Sequence, residues 1–265
     1  MTRFALLMHG RGAGGLVAIQ SLALLPPLGV SLWHGGAATL GILLAALLVV
    51  LIWDYAFAAL RHRRFEPHGL TTAAIFTLFV PADMPLWHLV VVLSLGCVIG
   101  ERIFGGRGFA FLSPATVALA LALLSLPDLT LVPPSSALAL ACLPGAALLL
   151  ATGLLSLRIA LSFLVVMILV LGVSSFETAI ILLTTSSVAL VFLICDPTSA
   201  AVTSWGRVLH GALAGGLAWV FAGLGDGPPG AGALVFAALM ASLMAPLIDH
   251  IVLSFSAWRR QRHHG

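Results

Sequence analysis

The sequence predicts an all-α polytopic membrane protein, with about ten transmembrane segments arranged as two inverted five-helix repeats in a single integral membrane domain spanning residues 1–265. Three observations predict it. Hydrophobic residues make up 61% of the chain and charged residues only 8%, against about 25% charged in a typical soluble domain. No core of this length can hide so much apolar surface from water, so the solvent must be lipid. The apolar residues also gather into ten separable stretches. Finally, all 12 basic residues are arginine, and they fall in alternate connections.

A helix needs about 20 apolar residues to cross the hydrocarbon. The candidate segments are Gly14–Trp33, Ala37–Leu60, Gly69–Val80, Leu86–Gly100, Phe109–Leu126, Ala137–Leu154, Ile159–Val173, Thr178–Cys195, Val208–Leu224 and Ala233–Phe255. The first has no small-residue cleavage site after it and reads as a retained span rather than a signal peptide. With the N-terminus in the cytoplasm, alternating sides places every arginine inside. Arg3 and Arg11 precede the first crossing; Arg61, Arg63 and Arg64 follow two; Arg102 and Arg107 follow four. Arg158, Arg207 and the tail arginines Arg259, Arg260 and Arg262 follow six, eight and ten. The remaining loops are neutral or acidic. The positive-inside rule then predicts both termini cytoplasmic.

The repeats are read at roughly 14–126 and 137–255. Segments five and ten each place a proline, Pro114 and Pro246, inside the expected helix, where it frees a carbonyl and bends the axis. Segment three, at about 18 Å, is too short to cross unaided and ends at Pro81; segment eight ends at Asp196-Pro197. Interrupted segments at matching places in two halves point to a central site in inverted-repeat transporters.

The sequence also excludes several functions. The net charge of +3 is spread over short connections and the two ends, so no basic face suits nucleic acid. Cys97, Cys142 and Cys195 form no CxxC pair and read as small core residues. No P-loop, no Ser-His-Asp spacing and no GxGxxG with a following acid is present. All acids and histidines fall near segment ends or in loops, which leaves the midplane without a proton relay. Asp249 and His250 are adjacent, and adjacent helix residues do not face one site. The middle offers hydroxyls instead: Thr184, Thr185, Ser186 and Ser187 either bond their own helix carbonyls or line a path for a dehydrated cation or polar solute.

Four stretches carry a family resemblance: Phe65–Trp87 (FEPHGLTTAAIFTLFVPADMPLW), Gly100–Ala115 (GERIFGGRGFAFLSPA), Phe192–Gly216 (FLICDPTSAAVTSWGRVLHGALAGG) and Leu243–His250 (LMAPLIDH). In this order they resemble the NqrB/RnfD family of membrane subunits from ion-pumping redox complexes. The resemblance implies a membrane subunit of an Rnf/Nqr-like electron transport complex, coupling redox change to Na+ or H+ translocation. Other membrane subunits of that complex and the lipid bilayer are then its partners. Gly105 and Gly106 let backbone approach a ligand or neighbouring helix; Asp196-Pro197, with Ser199 beyond it, stops a helix and leaves carbonyls free. The expected ion path or cofactor cleft lies near Phe192, Asp196, Pro197, Ser199, Thr184, Thr185, Pro114, Pro246, Asp249, Gly105 and Gly106, with Phe192 as an apolar constriction. No catalytic residue and no metal ligand is assigned.

The chain departs from the family in one chemical respect. Members that carry FMN covalently attach it to a threonine of a Ser/Thr-Gly-Ala-Thr motif after the fifth span. The corresponding loop here, Leu126–Ser136, has no such motif, so no covalent FMN is expected. Ser113-Pro114-Ala115-Thr116 lies inside the expected span, and Thr116 is not read as a flavin site. Non-covalent riboflavin or FMN is left open. Two alternatives also stay open: a stand-alone transporter like the urea and ammonium channels, and a membrane accessory protein of a biosynthetic cluster.

Overall fold

Helix breaks, more than helices, organise this structure. The computed structural model describes residues 12–62, 69–105, 110–126, 128–172, 175–224 and 227–264, with side chains from 15 to 256. The first helix, α1 (Gly12–Leu60), runs for 49 residues. At 1.5 Å per residue it would measure about 74 Å, more than twice a hydrocarbon core of about 30 Å. Gly36 interrupts it with φ 58° and ψ −145°. A side chain there would meet its own backbone, so glycine sits where the sequence predicts a turn between the first two segments.

The remaining helices are α2 (Gly69–Phe79), α3 (Leu86–Cys97), α4 (Pro114–Ser125), α5 (Ser136–Ala151), α6 (Leu157–Leu171), α7 (Phe176–Ala189), α8 (Ser204–Phe221) and α9 (Ala231–His264). Two of them widen at their ends: α3 continues into a π-helical turn over Val98–Arg102, and α7 into another over Leu190–Ile194. Each widened turn closes through an i→i+5 bond, Ile103 N–H to the Val98 carbonyl at 2.9 Å and Cys195 N–H to the Leu190 carbonyl at 3.0 Å. Local chemistry sets several boundaries. Ser135, Ser175 and Thr203 cap α5, α7 and α8 by accepting N–H bonds from the third residue on, the usual means of satisfying an orphan donor.

Each of the ten apolar stretches corresponds to a helical segment among the described residues. Segment five differs in one respect. The sequence places Pro114 inside a helix from Phe109; the helix instead begins at Pro114, with Ser113 before it in the extended conformation. Proline is favoured at the first helical position, where its missing N–H costs nothing, so it starts α4 rather than kinking it. Pro246 does lie inside α9, on its exposed side. Among the described residues three helices are long and apolar enough to cross a membrane, at 15–60, 176–194 and 231–256, while α2, α4, α5 and α6 are shorter apolar helices.

The short α2 is buried along almost its whole length. A helix apolar all round belongs to an interior, and α2 lies against α1 and α4. The first half of the chain meets the second where α1 packs on α5 and α4 on α9, and α8 lies between α6 and α9. Phe76, Phe79, Phe163 and Phe192 are the largest fully buried side chains. The outward faces are apolar too, with Leu22, Leu44, Leu48, Leu140, Leu161 and Leu169 exposed. Such continuous apolar surface has no place in water. Trp33, Trp87 and Trp205 are also exposed, as expected of rings at a membrane–water boundary.

Candidate functional site

Four charged residues that the sequence places at the boundary, Asp54, Glu101, Arg102 and Asp196, are drawn into the protein. Asp54, near the end of α1, is 2% exposed and forms an ion pair with Arg102 at the end of the widened α3 turn. Its second oxygen accepts the Gly69 amide, the first of α2, at 2.8 Å. Arg61 donates to the Arg102 carbonyl at 2.5 Å. One carboxylate thus ties the ends of α1 and α3 to the beginning of α2. An ion pair so enclosed repays its desolvation only when hydrogen bonds complete it; the Gly69 amide completes the carboxylate side, while Arg102 Nε is buried and donates no hydrogen bond among the described residues.

Beside this pair lies a small polar chamber. Gln20 of α1, Thr71 and Thr72 of α2, Glu101 of α3, Ser113 before α4, and Asp196 and Thr198 after α7 line it. Its free volume of about 10 Å³ is room for about one water-sized guest. Asp196 is 3% exposed. Its carboxylate accepts from Gln20 Nε2 at 3.3 Å, Thr198 Oγ1 at 2.6 Å and, at the long limit, Ser199 Oγ at 3.5 Å. Glu101 is 4% exposed; its Oε1 accepts no hydrogen bond among the described residues, and Arg102 Nη2 stands 3.6 Å from it. The chamber forms because α3 and α4 approach closely: a Cβ on Gly100 would stand 2.8 Å from the Pro114 Cα. Only glycine there lets Glu101 reach the start of α4.

The structure gathers only some of the expected site residues. Asp196, Ser199 and Pro114 meet at or beside the chamber, and Phe192 is fully buried one turn before Asp196. Pro197 lies apart, lining a cavity of about 60 Å³ with Cys195 and Arg207. Asp249 accepts from Val202 N–H at 2.8 Å, Thr203 N–H at 3.0 Å and Thr203 Oγ1 at 2.6 Å, so it clamps the connection before α8 onto α9. Pro246 is exposed on α9. The hydroxyls of Thr185, Ser186 and Ser187 bond carbonyls of their own helix, and neither they nor Thr184 line the chamber. Gly105 is half-buried with φ 113°; Gly106 lies outside the described residues.

Two histidines correct the interfacial expectation. His88 and His210 are buried, at 2% and 1% exposure. His88 Nε2 meets Ser125 Oγ at 2.5 Å, and His210, seven residues into α8, bonds the Ile194 carbonyl at the end of the α7 turn. Sequence reasoning also missed Gln20, Asp54, Thr71, Thr72 and Glu101. A signal was present for most of them, since a polar side chain inside an apolar segment is costly unless it faces an interior.

A larger cleft of about 320 Å³ opens at the other end of the bundle. It lies between the arms of α1 near Gly36, the end of α2 and the 126–136 connection, and is lined by Ser31, His34, Thr39, Thr77, Val132 and Ser135 among others. That connection is pinned by Val132 N–H to the Phe79 carbonyl at 2.8 Å.

Lipid-facing apolar helices enclosing a buried polar chamber at broken helix ends define an integral membrane protein built around a polar site. The chain belongs to the NQR2, RnfD, RnfE family, whose model matches residues 13–133 and 134–256. One of the relatives it resembles is a Na(+)-translocating NADH-quinone reductase subunit of Pseudomonas paraeruginosa, 28% identical over 295 residues, 89% of this chain and 73% of the relative. The corresponding protein of Chromohalobacter salexigens is 27% identical, covering 86% and 68%. That of Stutzerimonas stutzeri is 37% identical over 92 residues, 33% of this chain and 23% of the relative.

Proposed function

We propose that this chain is a membrane subunit of a redox-driven cation-translocating complex in a bacterial inner membrane, and that Na+ is the ion it passes. The carrying observation is the convergence of four broken helix ends, those of α2, α3, α4 and α7, on one carboxylate-bearing chamber. This chain's relatives are named Na(+)-translocating reductase subunits. Helix ends hold ions through partial charges of about half a unit each, and Phe192 stands as the apolar seal beside them. The electron carriers and the remaining subunits are partners in this reading, and the chain itself carries no catalytic residue.

Ten crossings with both termini cytoplasmic complete the proposal, in two inverted repeats joined near residue 134. The chamber then opens toward the cytoplasm and the larger cleft toward the opposite side. Covalent flavin is absent from this reading. A non-covalent riboflavin or FMN fits only the larger cleft among the cavities described, since the chamber is smaller than one isoalloxazine ring.

Purification from the native membrane, with identification of co-purifying subunits and the absorption spectrum, tests the assignment. Recovery of the chain without redox partners would overturn it. In the reconstituted complex, Phe192→Ala and Asp196→Ala should disturb ion uptake more than assembly; unchanged uptake in both removes the path. Reporter fusions at Asp128 and Arg158 should report opposite sides, and a denaturing gel should show no flavin fluorescence at the mass of this chain.

A further inference from the structure

We infer that the cavity at the start of α6 and α8 binds the phosphate of an anionic phospholipid, with Arg207 as its cationic contact. The site is separate from the chamber and does not depend on the ion path. It forms where the two helices begin. Gly211 lets α8 close onto α6, since a Cβ there would stand 2.3 Å from the Ile159 carbonyl oxygen. One turn earlier in α8 the contact opens into a space. Arg207 and Val202 on one side and Ser156 and Ile159 on the other line a cavity of about 60 Å³. That is room for about four water-sized groups, which matches the four oxygens of a phosphate.

The cations here lack partners. Arg207 is half-buried, and among the described residues its guanidinium meets no carboxylate and donates no hydrogen bond. No acid lines the cavity. Asp196 lines the chamber instead, and Asp249 is engaged by the Val202 and Thr203 amides and by Thr203 Oγ1. Arg158, next to Ser156 in the chain, is exposed and also unpaired among the described residues. Both arginines stand in the first turn of a helix that has no acid there. A cation in that position opposes the peptide dipoles, whereas an anion is favoured by them. The one-sided distribution of arginine accounts for the membrane face; it does not account for an unpaired guanidinium lining a cavity.

The other polar groups of the cavity are donors. Ser156 holds the cap position of α6, yet its hydroxyl makes no cap bond and lines the cavity. Cys195, 2% exposed, lines it too with a thiol that has no hydrogen-bond partner among the described residues. A guanidinium fork matches two phosphate oxygens at once. The surroundings select a lipid over a free anion. Leu157, Leu161, Val165 and Leu169 are all exposed and follow one another at four-residue intervals, so they form one face of α6. This apolar stripe starts beside Ser156 and gives acyl chains a path. Trp205 is 72% exposed two residues before Arg207, a ring suited to the headgroup level. Basic pockets between helices at that level seat anionic headgroups.

The test uses the full-length chain in detergent micelles, titrated separately with phosphatidylglycerol, phosphatidylcholine and inorganic phosphate at constant ionic strength. The thermal unfolding midpoint should rise saturably with phosphatidylglycerol, much less with phosphatidylcholine and not with inorganic phosphate. Arg207→Gln should weaken the phosphatidylglycerol response by about tenfold or more, the scale of one lost charge-assisted contact. Arg207→Lys, which keeps the charge and loses the fork, should retain part of it. Ser156→Ala, which keeps every charge, should weaken it to a lesser degree and serves if Arg207→Gln does not fold. An unresponsive wild type or an equal response to both lipids overturns the site. So does an undiminished response in Arg207→Gln or, where that variant does not fold, in Ser156→Ala. A saturable response to inorganic phosphate with none to either lipid would overturn the lipid assignment.

Discussion

Neutralising Asp54 should expose how the chamber end of the bundle is held together. The carboxylate is 2% exposed, pairs with Arg102 and accepts the Gly69 amide at 2.8 Å. Asp54→Asn keeps an acceptor for that amide but removes the charge facing Arg102. Removing one partner of a buried pair costs about 3–5 kcal/mol, because the other charge stays buried. Glu101 Oε1 stands 3.6 Å from Arg102 Nη2 and can take over part of the pairing, so the loss belongs at the lower end, about 3 kcal/mol. Adding Arg102→Gln removes both charges and should recover about half of that loss or more. Unfolding of the purified chain in detergent, followed by circular dichroism for the four corners of the cycle, measures it. An Asp54→Asn cost below about 1 kcal/mol, or a double variant as unstable as the two singles added, would refute the network.

Three further outcomes follow from packing. Gly100→Ala should cost about 1–3 kcal/mol, since its Cβ would meet the Pro114 Cα at 2.8 Å and backbone cannot yield as a side-chain tip can; a neutral variant in the same unfolding assay would contradict this. Phe192→Ala empties a fully buried site and should cost about 3–5 kcal/mol, read as a lowered unfolding midpoint. Cys97, Cys142 and Cys195 are free and buried, so a thiol reagent should label the folded chain only after unfolding; rapid labelling would place one at the surface.

The helices were legible in this sequence because lipid leaves a strong mark: each apolar stretch became a helical segment, and the breaks at Gly36 and before Asp196 fell where glycine and proline stand. The structure departed from the reading where a tertiary contact decided the outcome. Pro114 fits a kink and a first turn equally well in sequence; the bends at 111–112 and the close approach of Gly100 to Pro114 go with the first turn. Thr184–Ser187 advertised a polar path, yet the hydroxyls of Thr185, Ser186 and Ser187 answer carbonyls within α7. Conversely, Glu101 and Asp54 read as boundary charges because distance from a segment end measures depth along the chain, whereas burial depends on which neighbours fold over them. Of the chamber, the Asp196 wall was visible beforehand, while Glu101, Gln20 and the α2 threonines required the packing of α1 to α4.

The enclosure of α2 bears on how the protein is made. Eleven residues span roughly half of the bilayer, and the amide tether from its first residue to Asp54 exists only once α1 is in place. Released alone from the insertion machinery, it would leave unpaired backbone groups at both ends in hydrocarbon, which lipid does not tolerate. Its entry therefore waits on its neighbours: α1 precedes it, but α4 follows by some thirty residues of synthesis. The centre of this protein is thus assembled after the chain around it has already entered the membrane, and partner helices made later complete what the nascent segment cannot secure for itself.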